Sequence, residues 1–97
     1  MTREITKQAI RAFLNDENFK LSNTEVHTDC TGTYLYLFNN LIAKKVRTRI
    51  SVSLAGYNTL TTIERLNGIP NVSITTRKGQ AVLNGRNITD TEWVTIL

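Results

Sequence analysis

His27 and Cys30 are the only histidine and the only cysteine of the chain, and they stand three residues apart. A thiol beside an imidazole becomes a thiolate nucleophile when the ring takes its proton. The spacing works against that chemistry, because residues three apart at a strand end point to opposite faces, and a single cysteine is more commonly a small apolar filler. Glu25 and Asp29 flank His27 and could add oxygen ligands for a weakly held metal. One His and one Cys nevertheless fall short of the ligand set of a zinc site, and acids on a polar strand edge are ordinarily just hydrated. Ala55-Gly56 before a helix has too few glycines to cradle a phosphate. The N–H groups heading that helix could hold an anion, although Thr61 and Glu64 are placed to occupy them. These residues point to a protein that is not an enzyme and needs no cofactor or metal.

Charge is the stronger signal. Between Leu41 and Ile88 stand eight basic residues, Lys44, Lys45, Arg47, Arg49, Arg65, Arg77, Lys78 and Arg86, against the single acid Glu64, while the whole chain is only +4. A one-signed region accelerates encounter with an opposite charge without deciding the fold. Tyr34, Tyr36 and Phe38 alternate just upstream, and rings beside cations are how sheets hold single-stranded nucleic acid.

The elements that must position these groups follow from periodicity. At 97 residues the chain suits one domain, 1–97, with one core. Ile5, Ala9, Ala12 and Phe13 form a helical stripe, with Thr2 as expected N-cap, Glu4 in the first turn and Asn15-Asp16 as the stop. Phe19 and Leu21 then return to the core. From Thr33 the period becomes two, and Asn39-Asn40 suits a hairpin turn. That turn pairs Phe38 with Leu41, Leu37 with Ile42, Tyr36 with Ala43, Leu35 with Lys44 and Tyr34 with Lys45. One face then carries Leu35, Leu37, Ile42 and Val46, and the other carries Tyr34, Tyr36, Phe38, Leu41, Ala43 and Lys45.

After a reversal near Arg47-Thr48, Ile50, Val52 and Leu54 alternate with polar residues. Thr61 to Glu64 matches a capping box for a second, short helix that stops at Asn67-Gly68, with glycine in a left-handed conformation and Pro70 beyond. Strands resume from Val72 through turns at Lys78-Gly79 and Asn84-Gly85 to a last segment with Trp93, Val94 and Ile96. The fold class is α+β: an antiparallel β meander of about six strands, an N-terminal helix and a second short helix between strands. No apolar run approaches the ~18 residues of a membrane span, and neither a secretory signal nor a cysteine pair is visible. A cytoplasmic location is expected.

The stretch from Ile50 to Gly68, Val72 to Ile74, Arg77-Lys78-Gly79-Gln80, Leu83-Asn84-Gly85 and Trp93 resembles small orphan proteins encoded in tailed-bacteriophage genomes. Leu41-Ile42-Ala43 is an upstream outlier of the likeness. No activity accompanies the resemblance and no functional residue carries over. Ala81 stands where similar proteins tend to have an aromatic residue. The resemblance implies expression in an infected host cytoplasm and a role accessory to phage growth.

Two readings of the central region follow. In the first, Lys44, Lys45, Arg47, Arg49, Arg77 and Lys78 contact an acidic host protein. In the second they contact nucleic acid, with Tyr34, Tyr36 and Phe38 stacking on bases. Against both stands a structural role: a helix packed over the rings makes them core, and cations at hairpin ends keep edge strands from pairing with other chains. No helix-turn-helix, zinc finger or RNA-binding signature is present, so the protein partner leads.

Overall fold

A computed structural model describes residues 3–96. The chain runs α1 (Glu4–Leu14), β1 (Phe19–Leu21), β2 (Thr24–Asp29), β3 (Gly32–Leu37), β4 (Asn40–Val46), β5 (Arg49–Val52), α2 (Leu60–Asn67), β6 (Ile74–Arg77), β7 (Gln80–Leu83), β8 (Arg86–Ile88) and β9 (Val94–Thr95). The class is α+β, as the periodicity indicates. Among the described residues the strands number nine in two antiparallel sheets, ordered β1-β2-β3-β4-β5-β9 and β6-β7-β8. β1 and β2 form a hairpin that the polar sequence around Phe19 conceals. Phe19 packs against the core, but Leu21 stays 48% exposed at the sheet edge.

The meander is interrupted after β8. Thr89 and Glu92 bond each other's backbone N–H groups at 3.1 and 2.7 Å, turning the chain. β9 thereby reaches β5, pairing Val94 with Val52 and Thr95 with Ser51.

Both helices lie on one side of the large sheet. Ala9, Ile10, Ala12 and Phe13 of α1 join Ile63 and Leu66 of α2 in one cluster with Val26, Leu35, Leu37, Ile42, Ala43, Ile50 and Val52 of the sheet. Burying such side chains is the main favourable term in folding. The small sheet extends this core with Ile74, Ala81, Leu83 and Ile88. Asn67 joins it to α2 by bonding both the N–H and the carbonyl of Ile74, at 2.6 and 3.0 Å. The other face of the large sheet contributes nothing to the cluster.

Several local details differ from the pattern reading. Thr2 lies outside the described residues, and Arg3 stands at the α1 N-cap without a side-chain bond. The N-cap of α2 is Thr59, whose hydroxyl accepts from the Thr62 N–H at 3.2 Å. Thr61 is thus inside the helix, and Glu64 is free to bond elsewhere. The hairpin turn is Phe38-Asn39, with φ 50° and 65°, one residue earlier than the asparagine pair suggests. Gly68 ends α2 in a right-handed conformation with φ −73°. Its role is space: a Cβ there would stand 2.7 Å from Thr6 Cγ2 and 2.9 Å from Ile10 Cγ1, so glycine lets the end of α2 touch α1.

Arg65 is 2% exposed, and a buried guanidinium must be fully bonded. Its Nε donates to Thr24 Oγ1 at 3.0 Å and its Nη1 to Thr6 Oγ1 at 2.9 Å, and it pairs with Glu64. Glu64 in turn accepts from the Thr6 hydroxyl at 2.6 Å and the Arg3 N–H at 3.1 Å. Burial raises the Glu64 carboxyl pKa, but the Thr6, Arg3 and Arg65 bonds together outweigh it and hold the group below its ordinary 4.5.

Two outcomes are expected. Gly68→Ala should destabilise the fold by about 1–3 kcal/mol in urea titration despite the better helix propensity of alanine. A carboxyl of lowered folded pKa adds stability above its unfolded value and loses it as pH falls. Unfolding free energy should therefore decline below about pH 4.5, and Glu64→Gln should flatten that decline in urea titrations across pH.

Candidate functional site

The face of the large sheet opposite the helices is set by the pairing of β3 with β4. Leu37 pairs with Asn40 and Tyr36 with Leu41; the register then shifts, and Leu35 pairs with Ala43, Tyr34 with Lys44 and Thr33 with Lys45. Ile42 is the extra residue of a β-bulge. A one-residue shift moves a strand's side chains to the other face. The sequence reading placed Lys45 beside the tyrosines and Lys44 beside Leu35; the structure exchanges them.

One row across the open face is His27, Tyr34, Lys44, Ser51 and Thr95. The next contains Lys20, Glu25, Tyr36 and Leu41, and Val46 pairs with Arg49 on the same side. Lys44 Nζ lies 4.6 Å from the centre of the Trp93 ring, within cation–π range. Ser51 and Thr95 hydroxyls meet at 3.1 Å. The strands β3, β4, β5 and β9 contain no carboxylate at all. Glu92, next to Trp93, faces Arg86 at 3.6 Å.

No helix covers Tyr34 and Tyr36. Each is half-buried by its strand neighbours, and the Tyr34 hydroxyl meets Thr31 Oγ1 at 2.9 Å. Phe38 is not on this face; it sits in the β3–β4 turn.

The remaining basic residues disperse. Lys45 projects to the helix side, where its Nζ donates to the Leu14 carbonyl at 2.7 Å and pairs with Asp16 at 3.0 Å. It thus satisfies an orphan carbonyl at the negative end of α1. The Thr33 hydroxyl and then Lys45 hold Asp16 below its ordinary pKa. Arg47 occupies the β4–β5 turn at φ 61°, and Arg49 is exposed on β5. Arg77 and Lys78 belong to the small sheet, at the β6–β7 turn. Lys44 and Arg49 are brought onto one face with the tyrosines; Lys45, Arg77 and Lys78 are not.

His27 Nε2 faces Asp29 Oδ2 at 3.5 Å, and Cys30 is exposed in the turn that follows. The Thr31 hydroxyl, then the Thr31 N–H, holds the Asp29 carboxyl below its ordinary range. Among the described residues no three His, Cys, Asp or Glu side chains gather as metal ligands would.

Two features escape pattern reading. Trp93 joins the face only because β9 crosses to β5. A groove of about 300 Å³, lined by Leu37, Phe38, Ile42, Tyr57 and Thr59 among others, forms where the β3–β4 turn meets the loop before α2. Phe38 and Tyr57 are 64% and 52% exposed; the alternation with Tyr34 and Tyr36 assigned Phe38 to the open face, and nothing local paired it with Tyr57.

The Kyanoviridae Gp96 protein family model matches residues 2–96. The chain belongs to this family. It is therefore a phage protein, in keeping with the resemblance carried by Ile50 to Gly68 and the turns beyond. Comparison with the curated proteins and with the solved structures finds no match. No helix among the described residues is long and apolar enough to cross a membrane.

Trp93 is the sole tryptophan, so its emission reports the Lys44 contact. Lys44→Ala should red-shift that emission and increase quenching by iodide, with the circular dichroism spectrum unchanged.

Proposed function

We propose that this phage protein acts by binding rather than by catalysis, and that it docks on an acidic surface of a host protein. The observation that carries the reading is the uncovered sheet face, where Tyr34, Tyr36 and Leu41 accompany Lys44 and Arg49 on strands without a carboxylate and Trp93, just before β9, lies under Lys44. An open sheet face that keeps rings and apolar side chains in water is the kind of surface interfaces use. The nearby cations favour an acidic counterpart and speed its encounter.

A second reading, single-stranded nucleic acid, is supported by the same rings: Tyr34 and Tyr36 stand beside Lys44 and Leu41 on an antiparallel sheet, and rings with cations on a sheet stack bases and neutralise phosphates. The protein reading is preferred because Lys44 already occupies one face of Trp93 and Glu25 and Asp29 share the face on β2.

Charge reversal separates the two. Lys44, Arg47 and Arg49 are the informative positions, since Lys45 also holds the end of α1. The double variant Lys44→Glu/Arg49→Glu should lose the dominant host partner recovered by affinity capture at low salt, while the native protein shows no salt-sensitive binding of single- or double-stranded DNA or RNA by anisotropy. Retention of that partner by the variant overturns the face as the contact surface. Nucleic-acid binding that weakens steeply with salt and is lost in the variant transfers the function to the second reading.

A further inference from the structure

A cleft of about 460 Å³ between α1 and the end of α2 has cations in its own lining. Lys7, Ile10, Arg11 and Leu14 line it from α1, and Asn67 and Gly68 line it from α2. The four α1 residues stand at i, i+3, i+4 and i+7, so they form two parallel rows on one helix face, Lys7 with Arg11 and Ile10 with Leu14. One row is cationic and the other apolar. The α2 side is nearly bare, because Gly68 has no side chain and the Asn67 amide is committed to the backbone of Ile74.

The two cations are free to meet a ligand. Lys7 and Arg11 are exposed and enter no ion pair among the described residues. Among those residues no carboxylate lines the cleft; Glu4, one turn before Lys7, accepts from the Gln8 amide at 3.3 Å, and Asp16 is held by Lys45. The carbonyls that end α1 are also occupied: those of Arg11 and Ala12 accept from the N–H groups of Asn15 and Glu17, and that of Leu14 accepts from Lys45. Leu14, 36% exposed, keeps a large apolar side chain in water beside the cations.

The spacing of the rows fits a helical occupant. A second helix carries its side chains in i, i+4 rows of the same spacing and packs them between these, whereas a strand repeats on one face every two residues. From Lys7 to Leu14 the rows extend about 10 Å along the axis, two turns. We propose that this cleft docks an acidic amphipathic helix of the host partner protein, its large apolar side chains lying along Ile10 and Leu14 while an adjoining row of carboxylates faces Lys7 and Arg11. The inference rests on the protein-partner reading, but its surface is separate, since α1 packs on the side of the large sheet opposite Tyr34 and Lys44.

The test selects binders of the full chain from a display library of helical peptides randomised on one face, then measures them by anisotropy and by amide chemical shifts. Selected faces should carry Asp or Glu at i, i+4 beside large apolar residues at i, i+4, and shifts should cluster at Lys7, Arg11, Leu14 and Gly68. Lys7→Glu/Arg11→Glu and, separately, Leu14→Ser should each weaken binding about tenfold or more, with the circular dichroism spectrum unchanged because these side chains are exposed. Lys44→Glu/Arg49→Glu, an equal change of charge on the opposite side, should leave the affinity unchanged. No binders, basic or purely polar selected faces, or an affinity untouched by either cleft variant would each overturn the cleft. An equal loss in both charge-reversed variants would reduce the effect to net charge and overturn it too. Peptide binding lost only in the Lys44/Arg49 variant would overturn the cleft and retain the open face.

Discussion

The structure depends on a single buried cation. Arg65 reaches from α2 to Thr6 on α1 and Thr24 on β2 and pairs with Glu64, so three elements far apart in sequence meet at one guanidinium. Desolvating that charge is costly, and only an arrangement that satisfies its donors together recovers the cost. Its planar fork also restricts the geometry more tightly than a compact ammonium would. Gly68 acts with it, since the absent Cβ lets α2 lie against Thr6 and Ile10.

The position of α2 then decides what remains for function. With both helices committed to one side, Leu35, Leu37 and Ile42 are enclosed, and Tyr34, Tyr36 and Lys44 are left uncovered. The start of α2 and its preceding loop also bring Tyr57 to Phe38. The face and the groove are two consequences of the same helix placement. One carries rings with cations; the other is concave and mostly apolar. A partner engaging both would have to wrap around the β3–β4 hairpin.

Much of the fold was legible. The α1 stripe of Ala9, Ala12 and Phe13, the strand of Ile50 and Val52, the two-turn length of α2 and the glycine turns at Lys78-Gly79 and Asn84-Gly85 all follow from local periodicity and turn chemistry. The site was less so. The Asn39-Asn40 pair is a good turn signal, yet the chain turns one residue earlier, and the bulge at Ile42 lets Ile42 and Ala43 both be buried. Tertiary burial outweighed the local preference of asparagine, and the extra residue of the bulge, not the earlier turn, exchanged Lys44 with Lys45. The capping-box pattern at Thr61 misled for a related reason: Glu64 is drawn to Arg65, Thr6 and Arg3, leaving Thr59 to cap the helix.

By itself the amino-acid order determined the class of fold, the alternation of its strands, most of its turns and the concentration of positive charge after residue 40, because each is a property of neighbours along the chain. Which cations share a face with the rings, where Trp93 lies, and that Phe38 and Tyr57 enclose a groove were decided only in three dimensions. Those outcomes depend on register, on the crossing of β9 to β5 and on a buried arginine joining residues about sixty positions apart, and no local pattern specifies contacts at that range.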